Sequence, residues 1–136
     1  ETVRQIIEEG AIRLPAPGDG GFVQLAGASV VIDPSFPARD ADQNTGEQIT
    51  AGERVRELVL DDGTVVVAGG VTQDVTVDIV GLSFSLGGGD AYPEVPFTRV
   101  GVTDQQSLQN YIEDTLGGSV TEADYPRGGE GRITIL

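Results

Sequence analysis

The stretch that decides the fold is RVRELVLDDGTVVVA, residues 54–68. Apolar residues recur through both halves, and β-branched valine dominates. Valine fits a pleated, half-buried surface better than a helix does. Between the halves stand Asp61, Asp62 and Gly63. Glycine supplies the positive φ that a tight hairpin turn requires. The stretch predicts a strand over residues 54–60, a turn, and a returning strand over 64–68.

Working outward, residues 74–86 predict a long strand with a change of phase. Val75, Val77 and Ile79 alternate on one face, and Leu82, Phe84 and Leu86 keep the period one residue out of step. Gly81 sits at the slip, where a bulge or bend with positive φ would return all six to one face. Further strands are expected near residues 22–25, 29–33, 97–102 and in the closing GRITIL. Two helices complete the pattern. Residues 1–10 predict a short docking helix: Thr2 and Gln5 have capping-box spacing, Val3, Ile6 and Ile7 share a face, and Gly10 suits the C-terminal cap. A second begins at Thr103, with Gln106 in the same spacing, Leu108, Tyr111, Ile112 and Leu116 on one stripe, and Gly117-Gly118 closing it. Glu113 and Asp114 lie at its unfavourable, C-terminal end. The expectation is one mainly β domain over residues 1–136: a β-sandwich or open barrel of about eight strands with one flanking α-helix and a short N-terminal helix.

Composition narrows the chemistry. The chain of 136 residues has eight basic residues, all arginine, against 22 aspartates and glutamates, a formal charge of −14. Usual composition would give roughly eight lysines in such a length. Self-repulsion of that size opposes compaction, and concentrated salt relieves it, since the Debye length falls to about 3 Å near 1 M. A high-salt setting is therefore expected, virion or extracellular. Charge of this sign disfavours a nucleic-acid groove, and no apolar run is long enough to insert in a membrane as a helix. Without His, Cys or Lys the usual nucleophile–base pairs are missing. Enzyme chemistry is accordingly not expected.

Three local features are candidates for something more. Residues 34–53, PSFPARDADQNTGEQITAGE, form a long polar loop or arm. Within it Asp40, Asp42 and Asn44 alternate as oxygen donors and resemble the start of an EF-hand calcium loop. Gly46 comes one place late, and Ala51 stands where the bidentate glutamate belongs, leaving Glu47 or Glu53 to substitute. The Asp61-Asp62-Gly63 turn resembles in outline the Asp-Thr/Ser-Gly turn of aspartic proteases, with Asp62 in place of the hydroxyl residue; a hairpin turn accounts for it without further assumption. Arg54, Arg56 and Arg99 on strands suit ion pairs, either with a neighbouring subunit or within the chain, to Glu57 or Asp78.

Three functions are expected in order. The first is a non-catalytic subunit of a homo-oligomer or larger assembly, such as a capsid-decoration, neck or tail protein of a virus infecting a halophile. Its interface would use Val3, Ile6, Ile7, Arg54, Arg56 and Arg99. The second is a secreted or cell-surface binding module assisted by calcium. The third is a carboxylate-only hydrolase. No other cofactor is expected.

Overall fold

A computed structural model describes residues 1–16, 20–42, 44–45, 47–126 and 128–136. The hairpin is where the sequence places it. Strand β4 (Val55–Leu60) and strand β5 (Val65–Ala68) pair antiparallel. The Leu60 N–H donates to the Thr64 carbonyl, and the Gly63 N–H to that of Leu60. Gly63 has φ +88°, the left-handed value only glycine adopts freely. Asp62 Oδ1 accepts the Thr64 N–H at 2.8 Å, and this holds the Asp62 carboxyl below its ordinary pKa.

The remaining strands assemble around this hairpin. In chain order they are β1 (Ala28–Ile32), β2 (Asp40–Ala41), β3 (Gln48–Thr50), then β4 and β5, β6 (Val71–Thr72) and β7 (Ile133–Ile135). Five form one sheet in the order β6-β5-β4-β1-β7; β2 and β3 form a separate two-stranded hairpin. Strand β7 runs parallel to β1, with Val30 opposite Ile133, and every other pair is antiparallel. The helices are short: α1 (Thr2–Gly10), α2 (Ser83–Leu86) and α3 (Asp104–Asn110). The fold is thus mixed. Among the described residues the strands form one open five-stranded sheet and one two-stranded sheet, so the expected β-rich character holds only in part.

The chain divides into two compact units, residues 1–96 with 132–136, and residues 97–131. In the first, Ile7 and Ala11 from α1 and its exit pack with Val30, Ile32, Val55, Leu58 and Val67 of the sheet. Val3, Leu14, Phe22, Leu25 and Val77 flank this core. Fully burying a Val, Leu or Ile side chain contributes about 1.5–3 kcal/mol, so these small aliphatic residues suffice to hold one helix to one sheet. In the second unit Thr103 caps α3, its hydroxyl accepting the Gln106 N–H at 3.1 Å. A π-helical turn, Tyr111–Thr115, continues the helix, and left-handed Gly117 and Gly118 follow it. None of the α3 residues is buried, and Leu108 of the expected apolar stripe is 61 % exposed.

Several sequence expectations need correcting. Residues 22–25 are not a strand: β4 and β7 take both edges of β1, so Phe22 and Leu25 pack as loop side chains. Residues 74–86 are not a strand either. The sheet ends at β6, residues 73–82 form neither helix nor strand, and α2 follows. Gly81 is absent from the positive-φ residues, and its missing Cβ would meet only Leu86 at ordinary contact distance. Residues 97–102 also lie outside any strand, so Arg99 is exposed on irregular backbone. The loop at 34–53 carries the β2–β3 hairpin. Thr2 is the first helical residue, not the cap; Glu1 takes that position without a side-chain capping bond, its carboxylate accepting the Thr72 hydroxyl instead, and Gly10 is the last helical residue. Gly10 lies so close to Val23 that a Cβ would fall 2.7 Å from its Cγ2.

These assignments separate the two glycines. Gly63→Val is expected to cost about 1–3 kcal/mol through backbone strain, and Gly81→Val less than about 1 kcal/mol. Urea unfolding of both variants in concentrated salt measures this, and equal losses would mean that residue 81 also needs a left-handed backbone.

Candidate functional site

Helix α1 ends in consecutive glutamates, both buried: Glu8 is 1 % exposed and Glu9 9 %. Two acids at a helix C-terminus oppose its dipole. The sheet and the loop before it supply what offsets them. Glu8 Oε1 accepts the Val55 N–H at 2.8 Å and Oε2 the Arg54 N–H at 3.1 Å. Arg4, one turn earlier, sits 3.6 Å from Glu8 Oε1 and donates to the Gly52 carbonyl at 2.6 Å. Gly52 is glycine for a spatial reason: a Cβ there would collide with the Glu8 carboxylate.

Arg54 returns the contact. Its Nη1 donates to the carbonyls of Ala11, Ile12 and Leu14 at 2.7, 2.9 and 3.0 Å, and its Nε to that of Phe36 at 3.1 Å. The guanidinium therefore caps the exit of α1, where a cation is favoured and carbonyls lack partners. Arg56 lies over the Phe36 ring at 4.0 Å and donates to the Glu53 and Gly69 carbonyls. The carbonyl contacts of Arg54 and Arg56 lie within the chain rather than with the Glu57 or Asp78 expected as intrachain partners. Ile7 belongs to the core and Val3 packs against it, while Ile6 is half-buried on the same helix.

Glu9 reaches the other way. Its Oε2 accepts from Nη1 of Arg39, which is 3 % exposed and also donates to the Ala91 carbonyl at 3.1 Å. Burial lowers the Arg39 pKa, and neighbouring Asp40 opposes the shift. Ala91 and Asp90 both have positive φ, 61° and 53°, which costs a non-glycine residue about 1–2 kcal/mol each. The Arg39 bond to Ala91 and the Tyr92 hydroxyl bond to the Gly21 carbonyl at 2.6 Å hold that turn in place. Here Glu9, Ile12, Arg13, Gly21, Asp90 and Tyr92 line a cleft of about 420 Å³, the size of a small polar ligand. Glu9 and Asp90 bring two carboxylates to it, and Glu9 Oε2 is already tied to Arg39.

The predicted calcium donors lie elsewhere, in the β2–β3 hairpin. Asp42 Oδ1 accepts the Asn44 and Thr45 N–H groups at 2.8 and 2.9 Å, closing an Asx turn and holding the carboxyl below its ordinary pKa. Asp40 pairs with Thr50 across the strands, and Gly46 lies outside the described residues. Among the described residues no three acidic side chains converge on one point. Sequence reasoning missed Glu8, Glu9 and Arg39. The available signal was the pair of acids at the end of α1, which requires cations from elsewhere in the chain.

Two measurements follow. Arg54→Lys is expected to cost about 1.5–3 kcal/mol, because an ammonium cannot match a fork shared among four carbonyls. For Glu8, burial raises the carboxyl pKa above its ordinary value, against the two backbone bonds and the arginines, which lower it. The folded state then holds the Glu8 proton more tightly than the unfolded chain does. This contribution is full below the ordinary glutamate range and fades as pH rises through the raised pKa. The stability advantage of the wild type over Glu8→Gln should therefore grow on acidification through that window, as read by urea unfolding at stepped pH. A difference that shrinks on acidification would reverse the assignment.

No protein family, no characterised protein and no solved structure matches the chain.

Proposed function

We propose that this chain is a non-catalytic structural subunit that works in a homo-oligomer or larger assembly, in concentrated salt. The observation that carries the reading is a contrast on its surface. A chain of net charge −14 leaves four large apolar side chains within six residues uncovered: Ile79, Val80, Leu82 and Phe84. Acidic residues keep such a surface hydrated, whereas an uncovered apolar run favours a protein contact. The residue inventory supports the same reading, with no His, Cys or Lys for nucleophilic or general-base work. A virion component of a virus infecting a halophile, in a capsid-decoration, neck or tail position, is the form of assembly that fits small size, acidity and short strands together.

The cleft at Glu9 and Asp90 favours a second reading, a secreted or cell-surface module that binds a small polar ligand, with calcium at the Asp40–Asn44 hairpin as its assistant.

Light scattering of the purified chain in about 2 M salt separates the two, at a Debye length near 2–3 Å. A closed oligomer of fixed stoichiometry is expected, with helix and sheet signal lost on dialysis into dilute buffer. A concentration-independent monomer whose melting temperature rises with calcium would overturn the assembly reading in favour of the module.

A further inference from the structure

We infer that residues 78–82 pair as a strand with the same residues of a second copy, about a twofold axis at Val80. This rests on the assembly reading and adds the surface used and its symmetry.

Two observations locate the contact. First, the sequence through residues 75–80 has the alternation and β-branched content of a strand, yet no N–H of residues 76–82 finds an acceptor among the described residues. From residue 76 the chain leaves the sheet with its N–H groups unpaired, and within residues 78–82 only the Leu82 carbonyl is engaged, by the Leu86 N–H. Second, Val77 still packs on the core of its own unit, but residues 78–82 are all exposed, with Val80 at their centre 95 % exposed and Leu82 53 %. An unpaired, β-patterned backbone with uncovered apolar side chains is what strand addition uses: main-chain bonds give affinity and the side chains give register.

The occupant follows from area and from charge. Weighted by their exposures, Val75, Ile79, Val80, Leu82 and Phe84 present on the order of 500 Å² of apolar surface, the upper range for a monomer. With the flanking Val75 and Phe84 covered as well as the paired segment, two copies meeting there would bury at most about 1,000 Å², the lower bound for a specific interface. Antiparallel pairing centred on Val80 sets it opposite itself, Ile79 opposite Gly81 and Asp78 opposite Leu82. No two acids face each other directly, which removes the arrangement that most disfavours a cross-strand pair. A twofold contact also satisfies both copies with the same surface and closes on itself.

The chain has no cysteine, so a single introduced thiol reports the axis without interference. Antiparallel partners stand about 4.5–5.5 Å apart between Cα atoms, inside the span a disulfide bridges. Val80→Cys in the full chain, mildly oxidised in about 2 M salt, should convert most chains to a covalent dimer; Asp61→Cys, on the exposed hairpin turn, should not. Val80→Asp places two carboxylates face to face and should weaken self-association roughly tenfold or more, with an unchanged circular dichroism spectrum. If the wild type is oligomeric but Val80→Cys does not cross-link and Val80→Asp associates normally, strand pairing is overturned while the assembly reading stands. If the wild type is monomeric at every concentration, the assembly reading falls and takes this one with it. Cross-linking at residue 61 in place of residue 80 would assign the contact to another face and also overturn the proposal.

Discussion

The first unit depends on a reciprocal clasp between α1 and the start of β4. Glu8 takes the N–H groups of Arg54 and Val55, and Arg54 gives its guanidinium to the carbonyls where α1 ends. Each partner supplies what the other's backbone lacks: an acceptor for the N–H groups at the start of β4, and donors for the end of a helix. A nine-residue helix is marginal in water by itself. Here its C-terminus is tied to the sheet by ionic hydrogen bonds as well as by Ile7 and Ala11 in the core. Gly52 shows how tightly this is built, because a single methyl group there would displace the carboxylate. A buried acid in such a position is not in itself stabilising, since desolvation opposes the gain. It does fix one orientation of helix on sheet.

The arginines show a common logic. Arg4, Arg39, Arg54 and Arg56 all donate to backbone carbonyls, at Gly52, at Ala91, at four sites along the loops, and at Glu53 and Gly69. A guanidinium can serve several acceptors in fixed directions and stays charged when buried. An ammonium at the same positions would reach fewer partners and lose its proton more readily. The absence of lysine thus has a structural reason at these four sites, besides the effect of composition on hydration. The Nε–H groups of Arg4 and Arg39 are buried without a partner among the described residues, so the fit to the carbonyl framework is incomplete.

What could be read in the sequence was local. The hairpin around Gly63, the cap at Thr103, the first helix and the closing strand each follow from signals within a few residues. The strands expected at 22–25, 74–86 and 97–102 do not form: alternation says which side chains a strand would bury, not whether the chain pairs there. Both edges of β1 are taken by β4 and β7, and the sheet stops at two-residue β6. The site was harder to read. Glu8, Glu9 and Arg39 look like ordinary surface charges, and apart from Arg4 their partners lie 30 to 52 residues away along the chain. Asp62 and Asp42 were noticed as chemistry, but each closes a turn by accepting nearby N–H groups.

The parallel placement of β7 has a consequence for biosynthesis. Val30 must wait for Ile133, so one side of a central strand has no neighbour while about a hundred further residues emerge. A ribosome adding roughly 5–20 residues per second leaves that interval open for seconds, long compared with hairpin closure in microseconds. The β4–β5 hairpin can form at once and β1 can join it early, but the sheet closes late. During that delay the nascent chain carries a bare, valine-rich margin, and its protection from premature association then rests on the negative charge spread along the polypeptide.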